Sequence, residues 1–272
     1  MAKKGFTLIE LLAAIGVIAL LLALLLPALQ LAKKQARTAL CLSNLHHLNL
    51  ALGSFEIDTR SYPYAFSNLI NTPPPGGYFG NSSYDRSGWW WFQFLSDYIG
   101  RDVRNCKLLQ CPDRNIPAGS SYANILMGNY GVNLSVCTMS SGGSKQDEFI
   151  GEPLHAELIS TPGDTLLVLD SGYAMISWRH AADDRPPTPP SKNEDAAYVP
   201  GLKMNQLLSS LSPSSPFYQE QLEDAVEGRH EFHRLNVGFA DGHCLTMEAE
   251  SLLVGKTGDI YKNQIPLWKP VK

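Results

Sequence analysis

Four side chains near the end of the chain could do chemistry together: His230, His233, Asp241 and His243. Imidazole and carboxylate suit zinc or another transition metal, whereas calcium asks for more oxygen ligands. A hairpin would bring His233 towards His243, with Asp170 approaching from a neighbouring strand. The competing reading is that Asp241 serves a turn and the histidines are exposed or bonded to backbone. Other catalytic sets are weaker. Serine, histidine and aspartate are all present, but no G-x-S-x-G surrounds a serine. A Cys-His nucleophile has its ingredients and no context. Ser140-Ser141-Gly142-Gly143-Ser144-Lys145 follows no strand and opens no helix, so it is not a phosphate loop. These sets do not argue for an enzyme, and neither a cofactor nor a bound metal is expected. One further group stands out by its setting. Glu10 lies in an otherwise apolar segment, where an unpaired carboxylate costs several kcal/mol.

That segment is the first element to place. From Leu11 to Leu31 there are 21 residues without a charged side chain, which as a helix reach roughly the 30 Å of a bilayer's hydrocarbon core. In lipid the backbone must satisfy its own hydrogen bonds, so the stretch is predicted to be helical. It is too long for the apolar core of a secretory signal peptide, and Leu31-Ala32-Lys33-Lys34-Gln35-Ala36 continues the helix past it. Pro27 is expected to kink the helix rather than end it. Leu29, Leu31, Ala32, Ala36, Ala39, Leu40, Leu45, Leu48 and Leu52 then recur at helical spacing, leaving one apolar stripe in the second half for a domain to pack on, and Gly53 marks the expected end. About 8–31 would be transmembrane and the remainder of 6–53 amphipathic.

The composition bounds the rest. The chain has 272 residues, of which 44% are hydrophobic and 18% charged, and beyond the helix enough remains for one head domain, 54–272. A formal net charge of −4, with no long basic run, leaves no electrostatic footprint for nucleic acid. The five cysteines, Cys41, Cys106, Cys111, Cys137 and Cys244, contain no C-x-x-C pair. Disulfides among Cys106, Cys111 and Cys137 and free buried thiols are both open.

Lys4-Gly5-Phe6-Thr7-Leu8-Ile9-Glu10-Leu11-Leu12 resembles the N-terminal signal of type IV prepilins and type II secretion pseudopilins. The resemblance covers about the first fifty residues. It implies a leader, 1–5, removed after Gly5 by a prepilin peptidase that also methylates the new N-terminus at Phe6. It implies that Glu10 attracts the terminal amine of a neighbouring subunit, which would supply the missing partner for the buried acid. It also implies a bacterial inner-membrane protein of single-pass topology, with an extracytoplasmic head. Its partners would be the peptidase, other pilin-like subunits and inner-membrane lipid. Charge alone does not orient the helix, because Lys3 and Lys4 precede it while Lys33, Lys34 and Arg37 follow it.

In the head, Ser61–Gly88 is turn-rich and reads as loop. Trp89-Trp90-Trp91-Phe92-Gln93-Phe94 opens a short helix or strand whose aromatics are either core or a carbohydrate platform. Thr165–Asp170 is the clearest strand, the proline-rich Arg185–Ser191 is loop, and Met204–Leu208 and Gln219–Glu227 are candidate short helices. Leu235, Val237 and Phe239 alternate, Asp241-Gly242 is a turn signal, and Cys244–Met247 returns. Cys111-Pro112, Tyr130-Gly131-Val132-Asn133 and the C-terminal stretch resemble successive stations of a large pseudopilin-like group ending in an H-x9-DG element. Arg229, His230, Asn236, Phe239, Asp241, Gly242 and His243 carry that resemblance, although ten residues separate His230 from Asp241, one more than the pattern has.

The expected fold is therefore α+β: a long N-terminal transmembrane helix packed on a head with an antiparallel β-sheet and long loops. The expected function is structural, as a subunit of a secretion- or pilus-type filament. The rivals are a membrane-anchored module that binds polysaccharide or secreted protein through Trp89–Phe94, and a metal-dependent hydrolase.

Overall fold

The structure is a computed structural model describing residues 7–80, 83, 85–114, 125–140, 147–184, 197–202 and 217–271. The first element, α1 (Leu8–Thr59), is a continuous helix of 52 residues, about 78 Å long at 1.5 Å per residue. It passes through Pro27 without ending. It also runs six residues beyond the expected stop at Gly53, because glycine costs a helix only about 1 kcal/mol when its neighbours are held. Phe55 packs edge-on against Phe94 and Tyr98 and carries the helix onward. Arg60, in the left-handed region at φ 63°, then ends it, its N–H bonding the Glu56 carbonyl.

The two halves of α1 live in different surroundings. Its apolar N-terminal half, from Leu8 to Leu31, projects from the head fully exposed. It is long and apolar enough to cross a membrane. Its C-terminal half buries Cys41, Leu45, Leu48, Asn49, Ala51 and Leu52, a stripe of helical period laid against the sheet.

That sheet has five strands in the order β5-β3-β4-β6-β7: Met175–Ile176, Tyr130–Asn133, Leu166–Asp170, Arg234–Phe239 and Cys244–Glu248. All neighbours are antiparallel except β3 and β5. β4 is central and buried along its length, as its leucine- and valine-rich run requires. It pairs Val168 with Val132 on one side and Leu169 with Val237 on the other. The C-terminus is tied back to this sheet. Buried Asn133 donates to the carbonyls of Leu166 and Trp268 at 2.9 and 2.8 Å, and the Trp268 side chain is fully buried.

The aromatic run divides between β2 (Trp89–Trp90), which pairs with β1 (Phe66–Ser67), and a single turn, α2 (Trp91–Phe94). A second single turn, α3 (Ser96–Ile99), follows. Trp90, Trp91 and Phe92 are wholly inside the core, and the Trp91 indole donates to the Ala174 carbonyl at 2.8 Å. These rings are therefore structural and present no stacking platform. Of the candidate short helices, Tyr218–Glu227 (α4) forms, while Met204–Leu208 lies outside the described residues, as does the loop at 185–191. A small hairpin, β8 (Lys256–Thr257) and β9 (Ile260–Tyr261), follows the main sheet.

Candidate functional site

Candidate functional groups gather at two places, the N-terminal end of α1 and the crook where α1 meets the head. Gly5 and Phe6 lie outside the described residues; the helix begins two positions after Phe6. Thr7 is its N-cap, and Glu10 completes a capping box. The Glu10 carboxylate accepts from the Thr7 N–H at 2.9 Å and the Thr7 hydroxyl at 2.8 Å, while the Thr7 hydroxyl oxygen accepts from the Glu10 N–H. Glu10 is thus satisfied locally, at a helix N-terminus whose dipole favours negative charge. An N-terminal amine arriving from another subunit would compete with that cap.

At the crook, four segments converge. Cys41 comes from the buried stripe of α1. Cys111 follows a 3-10 turn (Lys107–Leu109), its N–H fixed by the Asn129 side-chain oxygen at 3.0 Å. Asp170 ends β4, and His230 precedes β6. All four are buried, at 0, 4, 0 and 3% exposure respectively. One ligand-type atom from each lies within 4.8 Å of all the others. Cys41 Sγ is 2.7 Å from Cys111 Sγ and 3.3 Å from Asp170 Oδ1. His230 Nε2 lies 3.0 Å from Asp170 Oδ2, and Nδ1 lies 3.2 Å from Asp113 Oδ2.

A surrounding layer holds these groups in place. The Asn236 N–H donates to Asp170 Oδ2 at 2.7 Å, and its side-chain amide lies 3.0 Å from His230 Nε2. Tyr130, opposite Asp170 in the β3–β4 register, lies 3.2 Å from Cys41 Sγ through its hydroxyl. Arg229, buried completely, forms ion pairs with Asp224 at 2.8 Å and Asp170 at 3.6 Å, and donates to the carbonyls of Asn129 and Ser171. The electrostatics follow. Burial works against an imidazolium at His230, but the Asp170 charge and the bonds to Asp113 and Asp170 outweigh it and raise its pKa to about 11. Burial likewise disfavours a thiolate at Cys111, yet the bonds from Cys41 and His230 and the charge of Arg229 bring it down to about 7. Cys41 moves the opposite way, pushed up by burial and by its neighbours Cys111 and Asp170.

The expected His/Asp cluster is therefore only half realised. His230 and Asp170 meet, whereas His233 and His243 sit at opposite ends of β6, roughly 20 Å apart along a strand of 3.3 Å rise. Asp241 serves the turn: Oδ1 accepts the His243 N–H at 3.0 Å and lies 2.6 Å from its ring nitrogen, and that ring stacks on Phe239 at 4.3 Å. Gly242, at φ 95°, supplies the left-handed step. The H-x9-DG-like residues thus divide into Arg229, His230 and Asn236 at the buried crook, Phe239 buried at the end of β6, and Asp241, Gly242 and His243 at the turn beyond it. The cysteine expectation also changes. Cys111 meets Cys41 rather than Cys106 or Cys137, because the crook brings the helix stripe onto the Cys-Pro loop; Cys106 faces the Ile99 carbonyl, and Cys137 is wholly buried. Cys41 was the residue the sequence signalled least. Its place four, seven and eleven residues before Leu45, Leu48 and Leu52, on the buried stripe, is the available sign, since i, i+4, i+7 and i+11 share a face.

Residues 1–26 match the family of the prokaryotic N-terminal methylation motif. No curated protein and no solved structure matches the chain. The motif match supports a type IV prepilin- or pseudopilin-like protein with a methylation signal and a membrane-capable helix. It is a pilin-type precursor signal, and it fits a membrane-anchored, structural protein; the C-terminal element has no such support.

Proposed function

We propose that the chain is a structural pseudopilin subunit. Prepilin peptidase cuts after Gly5 and methylates Phe6, and mature subunits pack through α1 into a secretion- or pilus-type filament. The head then lies outside the bacterial inner membrane. The observation that carries this reading is the methylation motif at the start of a helix whose first 24 described helical residues, Leu8–Leu31, touch nothing in the head. A continuous exposed apolar surface of this extent is not stable in water, so lipid and neighbouring helices are its fitting solvents. Burial of Trp90, Trp91 and Phe92 favours this reading over a carbohydrate module, and the separation of His233 from His243 favours it over a metal-dependent hydrolase. Mass spectrometry of the mature N-terminus tests the proposal. Methylated phenylalanine at Phe6 is the expected result; an intact Met1, or a cut beyond the apolar run, would sink it.

A further inference from the structure

We propose that Cys41, Cys111, Asp170 and His230 form a zinc site that clamps the root of α1 to the head. The four side chains offer two sulfurs, one imidazole nitrogen and one carboxylate oxygen, a set that suits zinc over magnesium or calcium. Their ligand atoms already share one small volume, each within 4.8 Å of the rest. Two thiolates on one zinc stand about 3.7 Å apart for Zn–S bonds of about 2.3 Å, so binding parts the sulfurs from their 2.7 Å contact by small side-chain rotations.

Three features favour a metal over a purely hydrogen-bonded cluster. His230 Nε2 faces Asp170 Oδ2 at 3.0 Å, a gap that either a shared proton or a metal ion can bridge. A proton can do that, but a proton has no use for the two buried sulfurs converging on the same spot. Next, the outer partners are those a ligand set needs: Asp113 beyond His230 Nδ1, as in carboxylate–histidine–zinc arrangements, and the Asn236 N–H on Asp170. Last, Arg229 sits fully buried beside the site, 3.6 Å from Asp170, and offsets the excess negative charge of two thiolates and a carboxylate around a divalent ion. A disulfide between Cys41 and Cys111 is the rival chemistry of the same sulfurs, and it would make no use of His230 or Asp170.

With four protein ligands the centre is closed, so its role is structural rather than catalytic. It joins α1, the Cys-Pro loop, the end of β4 and the turn before β6 at one point. It would add a bonded tie at the top of the stripe that Leu45, Leu48 and Leu52 already pack against the sheet.

The test uses the full chain in detergent, purified under mild reducing conditions. Elemental analysis is expected to find about one zinc per chain, falling below about a tenth in Cys111→Ser and His230→Gln and unchanged in Cys137→Ser. Cobalt(II) added to the metal-stripped wild type should produce thiolate-to-cobalt charge transfer and tetrahedral d–d absorption, a readout that needs no variant to fold. A wild-type chain without zinc and without those cobalt bands overturns the proposal. So does a mass two hydrogens lighter, with Cys41 and Cys111 peptides linked and no metal present. Both outcomes are independent of whether Phe6 is methylated.

Discussion

Glu10 shows how one residue can serve two states. In the single chain its carboxylate closes the capping box with Thr7 and is spared an unpaired charge. In the proposed filament the same carboxylate, the only acid within the apolar half of α1, would accept a neighbour's terminal amine. Each arrangement would satisfy the charge, so assembly on this proposal would be an exchange of partners rather than the rescue of an orphan. Glu10→Ala should therefore insert into the membrane normally and remain processed, with loss of the cap costing the helix end about 1 kcal/mol. Incorporation into filaments should fall at least tenfold, measured by the fraction of chain sheared or co-purified with assembled subunits. Normal incorporation would break the pairing argument. Arg229 is the opposite case, a charge wholly committed within the head by two carboxylates and two carbonyls.

At the scale of elements, α1 is one helix with two solvents. The upper half has no apolar stripe because every side is apolar, the pattern of a helix surrounded by lipid or by other helices. The lower half has a stripe, and substitutions there separate along it. Leu48, fully buried against the sheet, should lose about 2–5 kcal/mol of stability on Leu48→Ala. Leu40, on the open face of the same helix, should change by no more than about 0.5 kcal/mol on Leu40→Ala. Thermal or denaturant unfolding of the two variants side by side checks the contrast; equal losses would mean that the stripe is not the contact surface. Asn49 adds a polar tie to that surface, donating at 3.0 Å to the Phe239 carbonyl at the end of β6.

For the whole molecule, the boundary between anchor and head falls within α1, not after it. The stripe from Cys41 to Leu52 belongs to the head's core, together with β4, β6 and β7. A chain beginning at Lys33 should therefore be water-soluble, monomeric and cooperatively folded. A chain beginning at Phe55 loses Cys41, Leu45, Leu48 and Leu52 together and should aggregate or remain molten. Size exclusion with near-UV circular dichroism distinguishes these outcomes. A well-folded chain from Phe55 would show that the helix is an appendage after all.

Much of this architecture was legible in the sequence, for local physical reasons. A 21-residue uncharged run dictates a membrane-length helix, since no other local structure satisfies a backbone in lipid. Alternation at Leu235, Val237 and Phe239 followed by Asp241-Gly242 dictates a hairpin, and the structure has one. The apolar run at Leu166–Leu169 likewise reads as a buried strand and is one. The helix end was misplaced because Gly53 is a local signal, while the aromatic contacts of Phe55 that override it come from residues some forty positions away. The site was legible only in part for the same reason. His230 and Asp170 announce themselves by residue type, but their company depends on which loop and which helix face reach them. Periodicity places Cys41 on a buried stripe and leaves its neighbours open. Only the tertiary structure, by laying that stripe across the end of β4 and folding the Cys-Pro loop over it, decides that two cysteines, an aspartate and a histidine far apart in the chain meet at one point.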